Sequence, residues 1–194
     1  MAVRLKAWIG AAVALVLIAA GGLWYAARYE DRILPAIGLG QPVVLYFAAP
    51  DGAQLEPEVR YVLPGQDNPM RRLELLARGP RLGSGLAPVL PTGARPLEVK
   101  IEGDTAIVSF SREIRERHWG GTTGELMTVY GIVNTLAGYP GIRRVQILVE
   151  GKPVETLAGH LDLTQPLEAD PSLVRRRASS RRFGTPVAPP APAS

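Results

Sequence analysis

The sequence predicts an α+β domain, a mostly antiparallel sheet with two amphipathic helices packed on one face, standing after an N-terminal transmembrane helix. Three observations carry this expectation. Short β-branched and aromatic runs alternate with Gly/Pro turn signals from Val43 onward, two segments repeat apolar residues at helical spacing, and Ala7 to Ala27 is a 21-residue stretch without a charge. At about 1.5 Å per residue that stretch reaches roughly 30 Å as a helix, the thickness of a bilayer's hydrocarbon core.

The span comes first. Arg4, Lys6 and the terminal amine precede it, whereas Arg28, Glu30, Asp31 and Arg32 after it cancel. The positive-inside rule therefore keeps residues 1–6 in the cytoplasm and turns the rest outward, at the cell membrane. Trp8, Trp24 and Tyr25 mark its two ends, where amphipathic rings favour the headgroup region. A cleaved signal peptide is the alternative, but its apolar core runs only about 7 to 15 residues, and Ala19-Ala20-Gly21 is a weak cleavage site. The chain has no cysteine, which excludes a lipid-modified anchor, disulfides, thiolate nucleophiles and Cys-ligated metals.

Residues 28–42 read as a linker, 43–170 as the folded domain and 171–194 as a disordered tail. Val43 to Phe47 is a buried strand ended by Pro50-Asp51-Gly52. Glu58 to Leu63 alternates polar and apolar residues, as a half-buried strand paired with the first would. Asn68-Pro69 supplies an N-cap and a proline at the first helical position, with Met70, Leu73, Leu76 and Ala77 on one face and Gly79-Pro80 as the stop. Residues 81–94 have no period and form an irregular connection. Leu97 to Ile101 and Ala106 to Phe110 flank Glu102-Gly103-Asp104 as a hairpin. Ser111 to Arg117 makes one or two helical turns on the surface. Thr122-Thr123-Gly124-Glu125 then opens the strongest helix, with Leu126, Met127, Val129, Tyr130, Ile132, Val133 and Leu136 as a broad stripe and Gly138 at its end. Val145 to Val149 turns at Glu150-Gly151-Lys152 toward Val154 to Thr156 as a last hairpin.

A pI of about 9.7 suggests a nucleic-acid binder until the charge is divided along the chain. Residues 1–42 carry four basic and two acidic groups, 43–170 carry 13 and 16, and 171–194 carry five and none. The domain is thus net −3, and the basicity belongs to the ends. Arg175-Arg176-Arg177 and Arg181-Arg182, followed by a Pro/Ala-rich end, bury too little apolar surface to offset the entropy of ordering. Outside the membrane their partner would be anionic lipid or anionic wall polymer, and not nucleic acid.

Motifs for chemistry are sparse. Gly120-Gly121-Thr122-Thr123-Gly124 precedes a helix and could cradle an anion, but it lacks the lysine of a phosphate loop, and a flexible loop with a threonine cap is the better reading. His118 and His160 are the only histidines, and neither has a second His or a carboxylate three or four residues along, so no metal site is expected. Ser111, His160 and Asp162 could be combined as a triad only on paper, since no nucleophile-elbow pattern supports it. Asn134 sits among apolar helix residues and is expected to bond a neighbouring loop or helix end. No cofactor and no enzymatic activity are expected.

Eight of these segments in order resemble the GerMN domain family of bacterial envelope proteins: Val44 to Phe47, Leu75 to Pro80, Leu90 to Gly93, Val108 to Ser111, Gly120 to Thr122, Ile132 to Leu136, Val145 to Gly151 and Gly159 to Asp162. The family-motif positions are Gly79, Pro80, Pro91, Gly93, Gly120, Gly121, Asn134, Gly151 and Gly159. The resemblance implies a non-catalytic interaction module outside the cytoplasm, similar to motifs that build rings in sporulating cells, with a role in sporulation or spore germination. Ser109 stands where the family pattern often has an acidic residue. The partner would then be a second copy or another envelope protein. A module for wall glycan, using residues 81–94 and the Gly120 to Gly124 loop, is the second reading, and Trp119 is the one aromatic near those loops in sequence.

Overall fold

The computed structural model describes Gly21 and residues 38–175. Among the described residues no helix is long and apolar enough to cross a membrane. Apart from Gly21, the span expected at residues 7–27 lies outside the described residues, as do residues 176–194.

The domain is α+β, with two sheets where one was expected. β1 (Gln41–Ala48) and β2 (Leu55–Val62) form an antiparallel pair. The second sheet runs β3 (Pro96–Glu102), β4 (Thr105–Phe110), β5 (Arg144–Val149), with β5 also pairing two short strands, β6 (Lys152–Pro153) and β7 (Leu167–Glu168). β3 and β4 close through a two-residue turn at Gly103-Asp104, and β5 and β6 through Glu150-Gly151. Gly103, Glu150 and Gly151 take the positive φ that such tight hairpins require. β4 and β5 are parallel. The connection between them is long enough for the crossover a parallel pair needs, and it carries α2 (Glu113–Glu116) and α3 (Thr122–Ala137).

α1 (Pro69–Ala77) begins as expected, with the Asn68 side chain accepting the Arg71 N–H and proline at the first position. α3 departs from the expectation of a helix lying on one face. Ten of its 16 residues are buried, because it packs against β1 as well as β5, so its polar-looking positions are inside too. Gly131 makes this possible: a Cβ there would meet Val89 Cγ2 at 2.8 Å, so the irregular 81–94 segment lies directly on the helix backbone. α2 is short, yet Ile114 is fully buried and pins it to the core.

The buried positions of β2 include a charged pair between Leu55 and Val62. Glu58 and Arg60 stand opposite Leu45 and Val43 on the core face, whereas Val59 and the following Leu63 are exposed. The two charges pair with each other; Arg60 also donates to the Gly79 carbonyl and Glu58 accepts the Arg81 N–H, which fastens the exit of α1 to the sheet. The outer edge of β1 is covered. Ala48 and Ala87 exchange both backbone hydrogen bonds, and the Tyr46 N–H donates to Thr135 Oγ1 on α3.

The domain also extends past Asp170, where the tail was expected to begin. Pro171–Leu173 is a 3-10 turn capped by Asp170, Val174 bridges to Leu55 on β2, and Arg175 pairs with Glu56 and Asp51. Arg175 thus bonds three side chains, Gln54 included, at the turn into β2 and its first residues.

Candidate interaction site around the start of the central helix

Polar groups converge where the 118–121 loop, the first turns of α3 and the 157–162 loop meet. Glu125 is fully buried at the centre. Its Oε1 accepts the backbone N–H of Leu157 at 2.7 Å and of Ala158 at 2.9 Å, and its Oε2 accepts that of His160 at 2.8 Å. The His160 ring Nδ1 lies 3.4 Å from the same oxygen. Burial pushes this carboxyl upward, but the hydrogen bonds from Ala158, His160 and Leu157 outweigh it and hold the acid below its ordinary range.

His118 completes the cluster. Its Nδ1 accepts the Gly120 N–H at 3.0 Å, its Nε2 lies 3.1 Å from Thr128 Oγ1, and the Thr128 hydroxyl donates to the Val89 carbonyl at 2.7 Å. With Thr128 donating onward and Nδ1 already accepting, the ring is assigned as the neutral Nε2–H tautomer. Burial shifts its pKa downward against the opposing field of Glu125. The Trp119 ring covers Gly124 so closely that a Cβ there would come within 2.6 Å of its Nε1, and Trp119 remains 52% exposed.

This arrangement corrects two expectations. The histidines are not isolated: His160 faces Glu125, and His118 bonds Thr128 about one turn further along the same helix. No threonine caps α3: the N-cap is Gly121 at φ 78°, with no side-chain bond, and the N–H of Gly120 is already taken by His118. Among the described residues no group of three His, Cys, Asp or Glu could hold a metal ion.

The Germane family model, described as sporulation and spore germination, matches residues 44–155. The chain belongs to this family. Its fold is similar to the tandem GerMN domains of the sporulation protein GerM from Bacillus subtilis, 22% identical with a TM-score of 0.57 over 72% of this chain and 49% of that one. It is also similar to the first GerMN domain of that protein, at 19% identity and a TM-score of 0.56 over 68% of this chain and 98% of that one. The chain thus spans about half the length of the tandem structure. No curated protein matches.

Within this GerMN domain the motif positions do not form one site. Asn134 exchanges two hydrogen bonds with the Asp170 backbone, its Nδ2 donating to the carbonyl at 3.2 Å and its Oδ1 accepting the N–H at 3.0 Å, and it walls a cleft of 390 Å³ with Tyr46, Gly138, Pro171 and Val174. Gly79 and Pro80 lie at the Glu58–Arg60 staple, while Pro91 accepts the Ala94 N–H in the turn that holds Gly93 beside Arg117. Gly151 donates to the buried Ser109 hydroxyl, and Gly159 donates to Thr156 Oγ1. The paper triad is engaged elsewhere: Ser111 Oγ accepts the Arg95 N–H, Asp162 caps Thr164, and His160 faces Glu125. Residue-type reasoning missed Glu125, Arg72 and the Glu58–Arg60 pair. A signal for Glu125 existed, since it is four, seven and eleven residues before Val129, Ile132 and Leu136 and so lies on the buried stripe.

Proposed function

We propose that this family member is a membrane-anchored, extracytoplasmic protein–protein interaction module of the bacterial cell envelope, acting in sporulation or spore germination and not as an enzyme. The observation that carries the reading is the use of the buried polar groups. Glu125 fastens the 157–162 loop, Asn134 the Asp170 segment, Thr128 the Val89 loop and Arg72 the Asp67 carboxylate, so groups that could do chemistry are engaged in holding loops in shape. A rigid set of loops on a tethered domain suits association, because confinement to one membrane raises the effective concentration of weak partners. The charge-free run of residues 7–27 supports the anchor, and the remaining arginines of the tail, at 176, 177, 181 and 182, would add contact with anionic lipid or wall polymer.

The second reading, tethered binding of wall glycan, is favoured by the exposed Trp119 beside Gly120 and Gly121. The test is purification of the full-length chain from membranes after amine crosslinking, together with a C-terminal topology reporter. Recovery of a self-linked or partner-linked species with an outward reporter supports the proposal. A soluble mature chain starting near Gly22, a cytoplasmic reporter, or isolation with glycan and no protein partner would overturn it.

A further inference from the structure

Among the described residues, two long strands besides the covered β1 stand at a sheet end with one strand partner: β2, bridged near its start by Val174 through Leu55, and β3. β3 is the outer strand of the order β3-β4-β5-β6, and the strand it pairs with is β4 alone. Such an edge offers alternate unpaired N–H and C=O groups to an incoming strand. Its side chains are unusually open for a strand of a packed domain: Leu97 is 47% and Ile101 49% exposed, and Glu98 and Lys100 pair with each other at 3.2 Å along the same strand.

We propose that β3 pairs antiparallel with the β3 of a second copy, about a two-fold axis at Val99, so that one sheet runs through both copies. The inference rests on the assembly role proposed above and names the partner. The register follows from charge. A two-fold axis normal to the sheet sets residues of the same face opposite each other, so only a centre on a residue is allowed. Centring on Lys100 sets Lys100 against Lys100 and Glu98 against Glu102; centring on Glu98 sets Glu98 against Glu98. Centring on Val99 sets Glu98 against Lys100 twice, Leu97 against Ile101 twice, and Val99 against itself. Opposite charges and apolar residues facing across strands stabilise pairing, and like charges oppose it. An edge built to repel its copies would not read the same in both directions. The irregularity between Pro96 and Glu98 limits the paired length to the middle of the strand, which suits a contact that also depends on tethering.

The chain's lack of cysteine makes the test direct. In full-length protein in native membranes, Val99→Cys should form a disulfide with its own copy under mild oxidation, and Leu82→Cys, at a residue 92% exposed, should not. In the Val99→Cys background, Lys100→Glu should lower the linked fraction about tenfold, two attractive pairs becoming repulsive. The further change Glu98→Lys should restore it, since the swapped pair is again complementary; both positions are exposed, and thermal melts check that each variant is folded. Linking in the Val99→Cys variant no better than in the Leu82→Cys variant, or a swap no better than Lys100→Glu alone, overturns the pairing. If the Val99→Cys variant fails to link while amine crosslinking still joins the wild-type chain to a membrane partner, β3 pairing falls and the assembly role stands. If neither links, both fall.

Discussion

A carboxylate oxygen of Glu125 and the ring Nδ1 of His160 lie 3.4 Å apart, with 35 positions of chain between them, and the same oxygen accepts the His160 N–H. The carboxylate therefore takes three backbone donors of one loop into a buried position, where a lost acceptor would leave them without water. Glu125→Gln keeps the shape but turns one accepting oxygen into a donor. It should cost about 1–3 kcal/mol, the penalty for orphaned buried donors, and expose 157–162 to limited proteolysis. Unchanged melting and unchanged cleavage would show that the loop is held by other contacts. Because the folded acid is held below its ordinary range, its contribution is complete above about pH 4.5 and is lost as pH falls through the lower folded value.

His118 gives a second, earlier pH response. Its folded pKa is lowered by burial, so the unfolded chain binds the proton more readily, and stability falls as pH drops below about 6.5 toward the folded value. Charging the ring would also break the hydrogen bond it accepts from the Gly120 N–H. Urea midpoints should be lower at pH 5.5 than at pH 7.5 in the wild type, and His118→Gln should reduce that difference. An equal difference in the variant would place the sensitive group elsewhere.

Most strands and both principal helices were legible because each is bounded by a physical signal that needs no partner: Asn68-Pro69, Gly79-Pro80, Gly103-Asp104, Glu150-Gly151. What was not legible depends on pairing between distant segments. The turn at Pro140-Gly141 marks the end of α3 but cannot say whether the next strand meets β4 antiparallel or parallel. Alternation in Glu58 to Leu63 gives a two-faced strand, yet only the Gly79 carbonyl and the Arg81 N–H make the charged face the inner one. The same holds for the site. Histidines separated by 42 positions look isolated until the helix between them brings their loops together, Thr128 meeting His118 and Glu125 meeting His160.

Gly131 tests the packing of α3. Glycine within a helix normally costs about 1 kcal/mol relative to alanine, so Gly131→Ala should stabilise an unconstrained helix. Here the new Cβ would lie 2.8 to 3.1 Å from three atoms of Val89, whose branched side chain is itself fully buried. The substitution should instead destabilise by about 1–3 kcal/mol, as overpacking does. Ile132→Ala and Leu136→Ala, at fully buried positions, should each cost about 2–5 kcal/mol. A gain in melting temperature for Gly131→Ala would mean that the 81–94 segment moves freely away from the helix.

The inward charges of β2 yield the remaining prediction. Glu58 and Arg60 face Leu45 and Val43, so each depends on the other and on the backbone of residues 79 and 81 for compensation. Removing Glu58 takes away the carboxylate that Arg60 bonds at 2.5 Å, and breaking a buried pair typically costs about 3–5 kcal/mol. Glu58→Leu alone should fall in that range. Replacing both, Glu58→Leu with Arg60→Met, removes the second charge as well and should recover most of the loss, because apolar residues of similar volume suit a face already lined by Val43, Leu45 and Phe47. The recovered domain would still lack the staple at the end of α1, so cleavage near Arg81 should stay faster than in the wild type even as the melting temperature returns. If the double variant is no more stable than the single one, the pair is valued for its backbone bonds more than for its charge balance. If both variants melt like the wild type, the charged pair of β2 is not buried in solution.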